Sequence, residues 1–473
     1  MKKVHVETWG CQMNVADSEK MLSLLHGMDY ALTENESEAD LFLLNTCHIR
    51  EKAKHKVLSR LGVLRDLKEK RPGVQIAVAG CVAQAEGAKL LKAAPQIDIL
   101  LGPGKIEELP DLLSRSTGNG SAVMALGFNK PGEEKKRAHG QDVVPPTLTG
   151  KNEVTRFVNI TQGCNNFCTF CIVPFTRGRE ISRKPDEILD ECRLLLANGA
   201  SEIMLLGQNV NSYGLDLLDS RKLSAGEDGP FVELLRQVVT LPGLKRLRFT
   251  TSNPHDFTQP LAQLFADDSR MGKYMHLPVQ SGNDHVLEVM RRKVTVAEYR
   301  ERIRWLRDAV PDMAISTDLI VGFPGETEAE FEDTLKLVEE VQYSFIFAFK
   351  YSPRKGTAAA RMPGQISEAV MDERLARLNA LQDSITMRQA EADCGTIQNV
   401  LFLYRSKKNP GVFYGRTEHF RLVKVESSGQ LVGDCLPVLI TGGNKTALIG
   451  IVVGDPEHQG SNHEHETGDS VQH

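Results

Sequence analysis

The run Cys164-Asn165-Asn166-Phe167-Cys168-Thr169-Phe170-Cys171 places three thiols with three and then two residues between them, directly after the apolar stretch Phe157-Val158-Asn159-Ile160. Thiolates bind soft metals, and cysteines in one loop can each take a different iron of a single iron–sulfur cluster. A closed zinc site would need a fourth ligand, as a rule from a second pair. None follows: the next cysteine, Cys192, lies 21 residues on in a helix-like segment. Three ligands for a four-iron cube leave one iron open to a small chelating molecule.

Three more cysteines stand far apart in sequence at equivalent places. Val4-His5-Val6-Glu7-Thr8 leads to Cys11, Asp40-Leu41-Phe42-Leu43-Leu44-Asn45 to Cys47, and Gln75-Ile76-Ala77-Val78-Ala79-Gly80 to Cys81. Each strand-like run leads to its cysteine, and a helix-like stretch follows, which predicts a parallel sheet with covering helices. Loops at the carboxyl ends of such strands converge on one crevice. Any one of these cysteines alone reads as core, since free cysteine is among the most buried residue types. Three at matching strand ends, beside Gly10, Thr46 and Gly80, read instead as a second three-thiol site. Cys192, Cys394 and Cys435 read as structural.

The positioning elements follow from the rest of the chain. Its 473 residues, net charge of −5 and 41% apolar content describe an ordinary globular protein of about three modules. No stretch is long or apolar enough for a membrane span, and the start turns polar too early for a secretory signal, so the expected location is cytoplasmic. Nine cysteines are too sparse for a disulfide scaffold and point to metal or catalysis. The expected fold is α/β: a doubly wound parallel sheet over residues 1–125, a linker over 126–150, a partial (β/α)6 barrel over 151–381, a small OB-like β-barrel over 382–455, and a disordered tail over 456–473.

Six strand candidates define the central barrel: Arg156–Ile160, Glu202–Leu206, Leu247–Thr251, Tyr274–Val279, Ile315–Val321 and Phe345–Lys350. Barrel chemistry sits at strand carboxyl ends. There stand the cysteine loop, the ligand-contact candidates Gln208, Asn209, Ser252, Gln280 and Ser281, and the Gly322–Glu326 loop followed by a Thr327/Glu330 capping box. Five short strands after residue 397 predict the last barrel. Residues 400–454 hold seven Lys/Arg against three acids, a local basic surface suited to RNA. Tyr404, Phe413, Tyr414 and Phe420 are candidate stacking surfaces.

These blocks together resemble, along nearly the whole chain, the methylthiotransferases of the radical S-adenosylmethionine (SAM) superfamily. The resemblance rests on Thr8-Trp9-Gly10-Cys11-Gln12-Met13-Asn14, Asn45 through Ala53, Ala79-Gly80-Cys81-Val82-Ala83-Gln84, Gln162 through Glu180, and the Gly322–Glu326 loop. Within the family, Gly10-Cys11-Gln12-Met13-Asn14 departs from the openings of the branches that modify a ribosomal protein or threonylcarbamoyl-adenosine. It resembles the bacterial branch that makes 2-methylthio-isopentenyl-adenosine beside the tRNA anticodon.

The resemblance implies that Cys164, Cys168 and Cys171 bind a [4Fe–4S] cluster whose open iron chelates SAM. It implies that Cys11, Cys47 and Cys81 bind an auxiliary [4Fe–4S] cluster carrying extra sulfur, and that the last barrel is a TRAM-like RNA-binding module. One SAM would donate a methyl group to the auxiliary sulfur and a second would supply a 5′-deoxyadenosyl radical, since the C–H at position 2 of adenine yields to neither acid nor base. The implied partners are a tRNA anticodon stem-loop bearing isopentenyl-adenosine, an electron donor such as flavodoxin or ferredoxin, and a sulfur or cluster donor, the enzyme itself acting as a monomer. The alternatives are methylthiolation of threonylcarbamoyl-adenosine or of a ribosomal protein, and a non-catalytic metal-stabilised RNA-binding protein.

Overall fold

The computed structural model describes residues 1–47, 51–116, 122–128, 153–219 and 228–454. The expected tail and all of the expected linker except residues 126–128 lie outside them. Among the described residues no helix is long and apolar enough to cross a membrane.

The first sheet is parallel and six-stranded, in the order β2-β1-β3-β4-β5-β6. Its strands are β1 (Lys2–Trp9), β2 (Tyr30–Leu32), β3 (Leu41–Thr46), β4 (Gln75–Gly80), β5 (Ile99–Leu101) and β6 (Val123–Ala125). Strand β3 is buried at all six positions. Its pleat sends Leu41 and Leu43 into one apolar core and Phe42 and Leu44 into another, as a strand covered by helices on both faces requires. The chain runs outward from β1 to β2 and then returns to β1's other side as β3. The direction of winding therefore reverses between β1 and β3, where open α/β sheets place their ligands.

The central module carries β7 (Thr155–Asn159), the short antiparallel pair β8 (Thr161–Gln162) and β9 (Ile181–Ser182), then β10 (Glu202–Leu206), β11 (Arg246–Phe249), β12 (Tyr274–His276), β13 (Ala314–Val321) and β14 (Phe345–Lys350). All six expected barrel strands form, but as two parallel sheets, β11-β10-β7 and β12-β13-β14. Between them, an isolated bridge pairs Leu247 of β11 with Met271, just before β12. The expected capping box at Thr327 and Glu330 opens helix Glu328–Val341, and Thr295 with Glu298 makes a second at helix Val296–Ala309.

Helix Glu368–Asp393 spans 26 residues. It places Leu378 and Ile385 in the central core and Ala390 in the core of the last barrel. The expected division at residue 382 falls inside this helix. The barrel itself is closed, in the order β15-β16-β17-β19-β18. Its strands are β15 (Ile397–Arg405), β16 (Val412–Arg416), β17 (Leu422–Glu426), β18 (Cys435–Gly443) and β19 (Leu448–Val452). It docks on β11, where the Arg248 guanidinium donates to Thr417 O at 2.8 Å and Glu418 O at 3.1 Å, and Arg246 donates to Arg416 O at 2.8 Å.

Candidate metal centres and the chamber between them

Strands β1, β3 and β4 are neighbours, with Trp9 opposite Thr46 and Thr46 opposite Gly80. Their ends are thus level, and Cys11, Cys47 and Cys81 leave the sheet side by side. Cys11 caps helix Gln12–His26, whose first turn carries no acidic residue, and Cys81 is the first residue of helix Cys81–Glu86. The exposed backbone N–H groups of a helix start favour a negatively charged thiolate. A hydrogen bond from Cys47 pulls the Cys11 thiol down to about 6, against burial and with help from the Arg177 charge. Glycine is required at position 10, because a Cβ there would lie 2.5 Å from Asn14 Oδ1 and 2.9 Å from the Cys47 Cβ.

A polar network that the sequence did not disclose fixes these loops. Asn14 Nδ2 donates to Asn45 Oδ1 at 3.1 Å, and Asn45 Nδ2 donates to Asn14 O and Ser18 Oγ at 2.8 and 2.9 Å. Asn14 and Asn45 are both fully buried, where an amide without partners costs several kcal/mol, roughly 2–7. The network therefore holds the helix start behind Cys11 to the strand end before Cys47.

The second triad is built by the loop that follows β7 and its short extension β8, between β8 and β9. Gly163 has φ +81°, and a Cβ there would lie 2.0 Å from Arg179 O, so only glycine lets the chain enter the loop. Phe167, between the first two cysteines, also sits in the left-handed region at φ +48°. The loop is pinned by Cys164 N–H to Gly178 O (3.1 Å), Cys171 N–H to Cys168 O (3.0 Å) and Thr169 N–H to Met290 O (3.1 Å). Burial pushes the Cys164 thiol up to about 11 and Cys171 up to about 12. The Arg292 guanidinium donates to Cys168 Sγ at 3.6 Å.

Among the described residues no group of three His, Cys, Asp or Glu side chains closes on a single metal ion. A four-iron cluster sets one thiolate on each iron, so its ligand sulfurs stand further apart than those of a single ion. The donor sets fit such clusters: each triad is all thiol, and the half-buried Cys164 and Cys171, whose thiols are pushed up, need an added positive charge to ionise. Both triads keep to three cysteines. Cys192 is packed in the central core, whereas Cys394 and Cys435, expected to be structural, are exposed because they stand at a helix end and a barrel-strand start.

The strand-end polar residues divide. Asn209 Oδ1 and Ser252 Oγ are buried without a hydrogen-bond partner among the described residues, as are Asn159 Oδ1 and Thr161 Oγ1 on the adjoining strand ends. Such orphaned atoms at the carboxyl ends of β7, β10 and β11 suit a polar ligand such as SAM. Gln208 Oε1 accepts the Gly163 N–H, and its amide nitrogen contacts Met13 Sδ, so it supports the loop and meets the first module. Gln280 is held at φ +82° after β12, with its backbone paired to β13. The Ser281 hydroxyl is engaged with Thr334 and the Asn283 N–H, which makes it a local support.

Both cysteine loops border the inner face of the barrel strands, the chamber of the central module: Cys11 clusters with Met204 and Leu206, and Phe170, beside Cys171, with Ile320, all on the strand faces turned away from the helix-side core. Cys11 packs with Met13, Met204, Leu206 and Phe157, joining the first module to β10 and β7. Arg177, on the cysteine loop's return, is 4% exposed and donates to Asp17 Oδ2 at 2.7 Å on the helix that Cys11 caps. Burial opposes its charge, but Asp17, Cys81 and Cys11 together hold it firmly protonated. Arg177 lay within a matching block in the sequence; nothing there revealed a partner 160 residues away.

Comparison with known proteins agrees with this geometry. Residues 3–102 match the model of an uncharacterized protein family, UPF0004, and residues 158–338 match the radical SAM superfamily. The tRNA-2-methylthio-N(6)-dimethylallyladenosine synthase of Geotalea uraniireducens is 44% identical over 95% of this chain and 98% of its own length. The protein of the same name from Yersinia enterocolitica is 45% identical over 96% of this chain and 92% of its own length. In fold the chain is similar to TsrM, a radical SAM methyltransferase from Kitasatospora setae solved with cobalamin and a [4Fe–4S] cluster, with TM-score 0.54 and 13% identity over 84% of this chain and 77% of that one. Two triads of thiols bordering the inner face of one barrel, and near-full-length identity of this order, lead to one statement: the chain belongs to the tRNA-2-methylthio-N(6)-dimethylallyladenosine synthase family of radical SAM methylthiotransferases.

Proposed function

We propose that this enzyme converts N6-dimethylallyl (isopentenyl) adenosine beside the tRNA anticodon to its 2-methylthio derivative. The carrying observation is that the helix capped by Cys11 and the return of the Cys164/Cys168/Cys171 loop are tied by the Arg177–Asp17 ion pair, with Cys11 packed against the barrel strands, which supports a joint site for the Cys11/Cys47/Cys81 and Cys164/Cys168/Cys171 triads. The family's cofactors are SAM and [4Fe–4S] clusters, and the six cysteines are the residues that would hold two of them. Bound there, they supply the sulfur, the methyl group and the radical that side chains lack.

The chain's own residues hold, orient and exclude. Asn159, Asn209 and Ser252 offer unpartnered polar atoms to SAM, while Gln208 braces the cysteine loop against Met13. The Asn14–Asn45 network and Arg177 keep the auxiliary triad aligned with the barrel mouth. The unpaired anticodon-loop base reaches the chamber by leaving its stack, at low cost because it has no pairing partner to give up. The closed C-terminal barrel, with exposed Arg405, Lys407 and Lys408 and the stacked Tyr404–Tyr414 pair, acts as a TRAM-like RNA grip. The reading further includes a cytoplasmic monomer served by a flavodoxin- or ferredoxin-type reductant and a sulfur or cluster donor.

Anaerobically purified protein should carry two clusters by iron and sulfide analysis. Cys164→Ala should abolish SAM cleavage while leaving the auxiliary cluster's absorbance. Cys47→Ala should leave uncoupled cleavage of SAM but no methylthio product in tRNA nucleosides by mass spectrometry. Methylthiolation by the Cys47 variant would refute the auxiliary role.

A further inference from the structure

Strand β14 is an edge of the central module, and its residues divide by the two-residue period of a strand. Ile346 and Ala348 pack into the core under the helices. Phe345, Phe347 and Phe349 therefore project from the other face, into the chamber, with Phe347 and Phe349 43% and 44% exposed. Two half-bare phenylalanines on one lumen face are a costly arrangement unless something apolar covers them.

The row runs between two clusters, each holding a residue of or beside one triad. At one end Phe420 belongs to the Cys11 packing cluster and stacks on Tyr274 at 4.6 Å, which in turn stacks on Phe345 at 5.5 Å. Phe345 meets Phe347 edge-on at 5.4 Å. At the other end Phe349 is paired in register with Ile320, which packs in a cluster with Phe170, the neighbour of Cys171. Opposite Phe347 stands the His276 ring at 5.7 Å, and His276 Nε2 lies 3.6 Å from Asp318 Oδ1. Asp318 is about a third exposed, at 31%, and its carboxylate is an acceptor facing the same space.

We propose that this face is the seat of the N6-substituted adenine, with Phe347 and Phe349 as specificity-determining residues that cover the five-carbon N6 substituent. Asp318 accepts from the one N–H that alkylation leaves on N6. The inference rests on the proposed function and adds the residues that tell a prenylated from an unmodified adenine. A base held here lies between the packing cluster that includes Cys11 and the one that includes Phe170, the neighbour of Cys171.

The test uses the full-length, cluster-loaded enzyme and two anticodon stem-loop RNAs that differ only in N6-dimethylallyladenosine versus adenosine at the target position. Binding is read by fluorescence anisotropy, and product on the prenylated RNA by mass spectrometry. Phe347→Ala and Phe349→Ala, whose side chains are already half in solvent, should each reduce the preference for the prenylated RNA by about tenfold. Affinity for the unmodified RNA should change by less than about twofold. The same positions as Leu should keep most of the preference, because volume is nearly conserved. Equal weakening for both RNAs, or full retention of the preference in both alanine variants, would overturn the seat while wild-type product formation left the function standing. Absence of product with the wild type would instead overturn the function and the seat with it.

Discussion

Arg177 and Asp17 make the ion pair that the architecture can least afford to lose. Both are under 9% exposed, and the pair connects the return of one cysteine loop to the helix capped by the other's first cysteine. Removing one partner leaves the other charge buried without compensation, so Arg177→Met and Asp17→Leu should each cost roughly 3–5 kcal/mol in urea denaturation. The double variant should cost less than the sum, because no orphan charge remains. A second residue-scale consequence concerns Glu180, which is buried and accepts the Ser212 hydroxyl at 2.7 and 2.8 Å. Burial first, and then the charges of Asp216 and Asp256, push its carboxyl up to about 7. The folded state therefore binds this proton more tightly than the unfolded chain does. The stability that protonation confers is full below the ordinary value near 4.5 and is lost as pH rises through about 7. Its size is at most roughly 3 kcal/mol at 1.36 kcal/mol per unit. Glu180→Gln mimics the protonated form, so urea midpoints measured between pH 5 and 8 should fall less steeply for it than for the wild type.

The elements were largely legible because most are written in apolar runs. The six barrel strands, the five strands of the last barrel and the cysteine-bearing β1, β3 and β4 lie within a few residues of their expected places. The three-residue strands β2, β5 and β6 were not expected, since three residues are too few to show a period. The break between β11 and β12 and the continuity of helix Glu368–Asp393 were equally hidden, because both depend on partners distant in sequence. The candidate site followed the same rule: the six cysteines stand out by spacing and strand ends, whereas the roles of Asn14, Asn45 and Arg177 depend on partners distant in sequence. Among the stacking candidates, Phe413 proved to be barrel core and Phe420 a wedge against Tyr274 and Arg416, leaving Tyr404 and Tyr414 at the surface. At this scale the loop after β7 makes the sharpest prediction. Gly163→Ala cannot be accommodated beside Arg179 O, so the Cys164 loop should misplace its thiols while the first sheet stays intact. Iron per chain should fall by about half, and SAM cleavage should vanish with the loop.

At the scale of the whole molecule, the last barrel is fastened rigidly and leaves its basic residues unevenly employed. Arg416 is half-buried over the Phe420 ring at 4.0 Å, and its partial burial lowers its tendency to stay charged. Arg246 and Arg248 anchor the barrel's backbone to β11, and Lys445 is paired with Asp383. Of the seven Lys/Arg counted in the sequence, Arg416 and Arg421 are half-buried and Lys424, like Lys445, is paired with an acid, which leaves Arg405, Lys407 and Lys408 beside Tyr404 as the exposed positive charge. A net charge of −5 repels a polyanion over most of the surface, so this loop must supply much of the attraction. Phosphate contacts carry no sequence information, and each one in a single-stranded region contributes roughly 0.7 to the slope of log K against log salt. Lys407→Ala with Lys408→Ala should therefore weaken binding of prenylated and unmodified anticodon stem-loops alike and reduce the salt slope by roughly 1.4 if both lysines touch phosphate. The preference for the prenylated RNA should survive, because that choice belongs to the chamber. An unchanged salt slope would move the RNA grip off this face of the barrel.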